Sequence, residues 1–395
     1  MNRPRLAFTD PDYWLDGIED TYGWLRANEP VAWAEDGQFH VLAKHADVLR
    51  VSRENTIFRS GRGVLVRDEM RRGTMPGAPS IIYMDPPQHA RHRRIVSRGF
   101  TPRMVAELEP RVRQTVRATL AAIPANEEVD FVDLLAAPVP IAVIAQMLGV
   151  PESDWGPFRR WSDALIEGAD TGASETSMAS VAELWAYFST QITARREHPL
   201  EDVLSALACA EIDGEHLTND ELVIFILTLL VAGNETTRSL LSGSARAFAE
   251  HPLQWSRLRE DRTLIPGAVE ECLRWTTPIK NFARTATRDT EIHGVPIPEG
   301  GYVVMLYASA NRDEEAFGAT ANCFDIGRLT EPGHLAFGFG EHVCLGGSLA
   351  RMETRVVFEE MLARFASMEL AAEPERIAST LVNGMVRLPL ILRES

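Results

Sequence analysis

Two segments of this chain carry residue types that could do chemistry. The first is Phe337-Gly-Phe-Gly-Glu-His-Val-Cys-Leu-Gly346. Its three glycines, Gly338, Gly340 and Gly346, give a backbone that turns sharply and lets a flat ligand approach closely. The pattern from Gly347 to Phe365 predicts a helix, which puts Cys344 at a helix N-terminus, where the dipole favours a thiolate. Backbone amides there can donate to the sulfur and tune a metal bound to it. Taken alone, such a cysteine is more often a buried structural residue beside a turn.

The second is Ala232-Gly-Asn-Glu-Thr-Thr237, inside an apolar stretch. Ala232 and Gly233 are small enough for something bulky to lie against the backbone. A glycine, a glutamate and two threonines are individually unfavourable in a core helix, and threonine hydroxyls can bend the helical ladder. The bland alternative is a helix that emerges from the core at Asn234. Two further patterns are weaker alone. Glu271-Cys-Leu-Arg274 places charges on one helix face at i, i+3, with Glu270 a competing partner at i, i+4. In Asp85-Pro-Pro-Gln-His89-Ala-Arg-His-Arg93 the prolines end a loop, and His89 and Arg93 share a helix face.

Taken together, Phe337, Gly340, His342, Cys344 and Gly346 resemble the complete cysteine-ligand loop of the cytochromes P450. The resemblance runs from about Trp24 to Leu392. It implies a mainly α, single-domain fold over residues 1–395, a triangular helical prism with small β-sheets around one buried haem b. It implies Cys344 as the axial iron ligand, a thiolate that favours O–O cleavage. Phe337, Gly338, Gly346, Ala232 and Gly233 would flank the haem. His89, Arg93, Arg284 and His342 would hold its propionates, since buried carboxylates need partners. Glu235 and Thr236 take the family's acid–alcohol positions, which organise water and deliver protons during oxygen activation. Glu271 and Arg274 would form a structural triad with Arg328; the family alignment favours Glu271 over Glu270.

The same resemblance places substrate-facing residues at Val64 and Leu65, 75–82, 161–166, 226–233, 279–283 and 381–386. Val64, Leu65, Ile82, Leu165, Ile226, Leu229, Ala232, Ile279, Phe282, Val382 and Met385 represent them. They are largely apolar, which suits a hydrophobic guest, and bacterial members that oxidise steroids, terpenoids or fatty-acid-like lipids are the most similar. Arg91, Arg94, Arg98, Arg103, Arg351 and Arg355 suggest a basic face for an acidic iron–sulfur ferredoxin, itself supplied by a reductase. No flavin- or nicotinamide-type glycine fingerprint marks a fused reductase. A peroxide-driven peroxygenase of this fold would replace Glu235 and Thr236 by arginine and proline. A non-catalytic haem sensor or redox module would need neither that pair nor an apolar pocket.

The elements that must position these residues are mostly helices. Thr218-Asn-Asp-Glu221 is a capping box that starts a helix of about thirty residues, stopped at His251-Pro252. Its first half is apolar on every face, so it belongs in the core. Strands are predicted at Gln38–Lys44 and Val303–Tyr307. With 395 residues, 45% hydrophobic and 24% charged, and no linker or repeat, one large domain is the simplest organisation. A net charge of −16 disfavours nucleic acid. Residues 1–14 lack a signal-type apolar core, and the longest apolar run, Leu222 to Ala232, is short of the ~20 residues a bilayer anchor needs. Four cysteines without metal-type spacing fit a reducing cytoplasm.

Overall fold

The capping box forms as the sequence requires. Glu221 N–H donates to Thr218 Oγ1 at 3.2 Å, and Thr218 N–H donates back to the Glu221 carboxylate at 2.8 Å. From this cap a 32-residue helix, Asn219–Glu250, crosses the molecule and ends where His251 N–H closes on Ala247 O. In the computed structural model, residues 2–67, 80–171, 175–212, 214–329 and 331–394 are described. The expected substrate-facing residues 75–79 and the Leu165 side chain lie outside them.

Several helices pack around this central one. Pro138–Met147 brings Val143 and Ile144, and Glu175–Glu197 brings Leu184, Phe188 and Ile192. Ile265–Thr276 adds Ala268, Val269 and Cys272, and Gly347–Arg364 adds Val356, Val357 and Met361. Among the described residues the central helix alone is long and apolar enough to span a bilayer, but its apolar faces pack into this core. An all-round apolar helix is stable in water only when enclosed in this way.

A five-stranded sheet flanks the helices in the order Val31–Ala34, Phe39–Leu42, Tyr302–Leu306, Asn281–Ala286, Phe58–Arg59. Tyr302–Leu306 is buried along its whole length and pairs parallel to Phe39–Leu42 and antiparallel to Asn281–Ala286. Both predicted strands form, each shorter or shifted by one to two residues, because Tyr307 opens a helical turn. A second sheet joins Phe365–Leu370, Pro389–Glu394 and Glu128–Asp130.

One buried ion-pair network locks the loop before the cysteine segment onto the helices. Arg274 donates from Nε and Nη2 to both Glu271 oxygens at 2.7 Å. Its Nη1 reaches the carbonyls of Asn311 and Ala321, both at 2.8 Å. Arg328 Nε closes the triad on Glu271 at 3.2 Å, and its Nη2 caps Thr320 O and Cys323 O. Glu270 points elsewhere, to Arg351 at 2.6 Å and His334 at 3.2 Å. Each buried charge in the triad therefore has its partners. Glu271→Ala strands Arg274 without a carboxylate and should cost about 3–5 kcal/mol. Glu270→Ala, on a half-exposed pair, should cost about 0–1 kcal/mol. Denaturant unfolding of the two variants checks the contrast; equal losses would contradict it.

Candidate functional site

The cysteine loop is built by backbone geometry. Cys344 N–H donates to Phe337 O at 2.9 Å and Gly338 N–H to Leu335 O at 2.9 Å, folding the segment back on itself. Gly338 and Gly340 adopt left-handed φ of 66° and 77°. At Gly340 a Cβ would lie 2.3 Å from the Ser52 carbonyl oxygen, so only glycine fits. Helix Gly347–Arg364 follows directly, and the amides of Gly346 and Gly347 point at the sulfur. Burial pushes the Cys344 thiol up, while those amides and the Arg93 and Arg351 guanidinium groups pull it down. Cys344 sits deep in the protein yet keeps accessible surface, as a side chain bordering an internal space does. Cys272 is the contrast: burial, helped by the nearby Glu271 charge, drives its thiol far up, with Ser244 the opposing contact.

Cationic and donor groups converge beside this loop from three parts of the chain. Helix Gln88–Val96 supplies His89 and Arg93, strand Asn281–Ala286 supplies Arg284, and the loop itself supplies His342. The His89 and His342 rings are 4.1 Å apart. Arg93 Nη2 donates to Val343 O at 2.7 Å, and Ser60 Oγ lies 3.2 Å from His342 Nε2. Burial, then the charges of Arg284, His89 and Arg93, push His342 down to about 2. His89 Nε2 is buried with no partner. Such a cluster is costly unless an anion completes it. A group carrying two carboxylates beside the Cys344 sulfur fits these residues.

The central helix carries the second set of expected residues. Ala232 and Thr236, one turn apart, keep accessible surface, whereas Leu230, Asn234, Glu235 and Thr237 are buried. Thr236 Oγ1 donates to Ala232 O at 2.5 Å. Thr236, not Thr237, keeps accessible surface. Gly233 does not serve as expected: a Cβ there would meet Ile144 Cδ1 at 3.0 Å, so its small size makes room for the neighbouring helix. Glu235 is 5% exposed and accepts from Arg238 Nη1 at 3.1 Å. The sequence reading missed Arg238, although its i, i+3 spacing from Glu235 was visible.

The expected guest-facing residues divide. Leu65, Ile82, Leu229, Ile279 and Phe282 are partly exposed. Ile226 and Val64, at 0% and 1% exposed, are buried in the protein. Val382 and Met385 keep only slight exposure; Val382 pairs with Ile279 across a β-bridge. A cavity of about 220 Å³ touches Cys344 from the side of Glu270, Glu271, Arg274 and Arg351, and none of these guest-facing residues lines it.

The basic face is also less open than its sequence implied. Arg91 pairs with Glu215, Arg103 with Glu107, Arg351 with Glu270, and Arg355 with Glu109 and Glu359. Arg113 joins the last group through Glu109, Glu359 and Glu360, tying helix Pro102–Ala122 to Gly347–Arg364.

Residues 186–389 match the cytochrome P450 family model. A steroid C26-monooxygenase of Mycolicibacterium smegmatis is 36% identical over 403 residues, covering 100% of this chain and 98% of that protein. This chain belongs to the cytochrome P450 family. The erythromycin C-12 hydroxylase of Saccharopolyspora erythraea is 38% identical across 95% of this chain and 94% of that protein. The crystal structure of CYP109E1 from Bacillus megaterium in complex with testosterone has a TM-score of 0.86 at 32% identity, covering 95% of this chain and 99% of that one. The P450 is accordingly a haem-thiolate monooxygenase that binds haem b. Gly340→Ala in this P450 meets both a left-handed φ and the Ser52 carbonyl. It should destabilise the fold by at least about 1–3 kcal/mol. An unchanged melting temperature would show that the loop can shift freely.

Proposed function

We propose that this P450 inserts one oxygen atom from O₂ into a steroid-like hydrophobic molecule, and that Cys344 would bind the haem iron. The observation that carries the site assignment is the meeting of Cys344, its two amide donors and the cationic cluster around one internal space. His89, Arg93, Arg284 and His342 would hold the propionates of a bound haem, and Ala232 would leave room for it beside the central helix. A bound thiolate-ligated haem activates O₂ and transfers one of its atoms to an unactivated C–H bond.

The chain's own residues do the rest. Leu65, Ile82, Leu229, Ile279 and Phe282 place an apolar guest and keep bulk water away from it. The Thr236 hydroxyl holds a water in hydrogen-bond reach. Glu235, next to it, passes protons inward from the protein side. The presence of this pair speaks against a peroxide-driven enzyme. Two electrons come from a separate cytoplasmic ferredoxin and its reductase. Docking at the face of Arg94, Arg98, Arg351 and Arg355 would have to compete with the existing ion pairs there. The steroid preference draws on the oxidised positions named for the relatives, whose macrolide member marks the main competitor.

Titrating testosterone, erythromycin B and palmitate while following the haem Soret band tests the guest class. Testosterone should shift the band at the lowest concentration; a response to erythromycin B alone would overturn the steroid reading. Cys344→Ser should abolish the carbon-monoxide band typical of thiolate ligation, whereas Cys209→Ser and Cys323→Ser should keep it. Thr236→Ala should leave guest binding intact and release reducing equivalents as hydrogen peroxide. Glu235→Gln should slow turnover by about 100-fold. Full coupling in Thr236→Ala would remove the hydroxyl from the proton path.

A further inference from the structure

The acid on the central helix is fastened at a second point. Arg238 donates Nη1 to Glu235 Oε1 at 3.1 Å and Nη2 to the Met385 carbonyl at 3.2 Å. One guanidinium fork thus holds the Glu235 carboxylate and the chain segment around Met385 at once, a geometry that a lysine ammonium does not reproduce. Around it, Arg238 Nε, Asn234 Oδ1 and Ser239 Oγ are buried polar atoms with no protein partner, so further hydrogen-bonding capacity lies beside the carboxylate.

The Met385 segment is wedged between two parts of the site. On one side, Lys280 N–H donates to Leu381 O and Asn383 N–H to Pro278 O, both at 2.8 Å. Val382 pairs with Ile279, and Asn383 Nδ2 donates to Thr276 O at 2.5 Å. On the other side Gly384 lies so close to the central helix that a Cβ would come within 2.6 Å of Ser239 Oγ. A push on Ile279, which keeps accessible surface, is therefore transmitted through Val382 toward Met385 and its arginine. A packed segment of this kind shifts as a unit rather than deforming continuously.

We propose that Arg238 is the positioning residue of Glu235, and that it ties this carboxylate to residues 381–385, so that a guest seated against Ile279 re-aims the acid. The proposal rests on the reading of Glu235 as the proton-delivery group. Arg238 touches neither guest nor haem in this scheme. It acts by setting where the carboxylate points, and through Met385 it makes that orientation respond to occupancy of the pocket.

The test uses the haem-loaded enzyme as wild type, Arg238→Ala, Arg238→Lys, Glu235→Gln and the double variant Arg238→Ala/Glu235→Gln. Three quantities are read: the testosterone concentration that half-shifts the Soret band, kcat with product formed per reducing equivalent, and hydrogen exchange of the backbone at 381–388 with and without testosterone. Arg238→Ala should leave the half-shift concentration within about twofold and lower kcat about tenfold, the scale of one lost charged hydrogen bond. It should add nothing to the loss already caused by Glu235→Gln. Exchange at 384–388 should rise in Arg238→Ala and in Arg238→Lys, while Arg238→Lys, which keeps a cation beside Glu235, should recover part of kcat. Wild-type exchange at 384–388 in Arg238→Ala would overturn the tie to the segment. Losses that add in the double variant would overturn the positioning role. If Glu235→Gln alone kept full kcat, the proton-delivery reading would fail; the tie itself would then stand or fall on the exchange data from the guest-free enzyme.

Discussion

Enclosed charge must be paired, and this constraint organises the molecule from the triad to the cysteine. Taking a carboxylate or guanidinium out of water costs several kcal/mol unless geometry and hydrogen bonds restore what solvent supplied. The Glu271–Arg274–Arg328 triad meets the condition within the protein: its oxygens and nitrogens find each other and the carbonyls of Asn311, Ala321 and Cys323. That network fixes the 311–328 segment and thereby the approach of the chain to the cysteine loop. The cluster of His89, Arg93, Arg284 and His342 meets the condition only in part. Burial first, and then repulsion from Arg284, His89 and Arg93, push His342 down to about 2. The first network is complete within the protein, whereas the second leaves His89 Nε2 buried without a partner.

The central helix resolves a conflict between stability and chemistry. Its N-terminal half is a continuous apolar run that packs on all sides. Within two turns it then carries Asn234, Glu235, Thr236, Thr237, Arg238 and Ser239, polar or charged residues that are mostly found exposed rather than buried. Three of these side chains, and one atom of a fourth, find partners in the protein. Thr236 returns its hydroxyl to Ala232 O, Asn234 reaches Ser162, and Glu235 and Arg238 pair on the same face. The polar stretch also lies at the level where Ala232 leaves the space beside the helix free. A helix selected for stability alone would carry leucine or alanine there.

Features that depend on local sequence were legible before any coordinates. The capping box set the start of the central helix because its two hydrogen bonds span only Thr218 to Glu221. The cysteine loop was legible because glycine spacing and a following helix are both local. Features decided by distant packing were not. Nothing in Glu270-Glu271 says which glutamate turns inward; that depends on Arg328, more than fifty residues later, and on Arg351 claiming the other. Gly233 looked like room for a cofactor, and only the position of Ile144 shows that the neighbouring helix takes the space. Six arginines looked like an open basic face, yet Arg355 finds Glu109 across 246 residues of chain. Ile226 followed the apolar pattern of the pocket-facing helix, but periodicity cannot tell the side that meets a ligand from the side that meets another helix.

The pairing of those arginines bears on how an acidic protein can receive an acidic partner. A net charge of −16 repels a negatively charged carrier at long range, so a favourable encounter must come from a local field. Arg113, Arg117 and Arg355 are linked to Glu109, Glu359 and Glu360 in one network, which nearly cancels their field beyond a few ångströms. Apart from Arg117 the members of this network are only slightly exposed, so a carboxylate brought by a partner would have to displace one already held there. Such an exchange restores each arginine's partner while releasing a glutamate of the chain itself. The face would then be neutral to passers-by and cationic only toward a partner that presents carboxylates at matching positions. Specificity would come from that geometry, rather than from the sign of the charge alone.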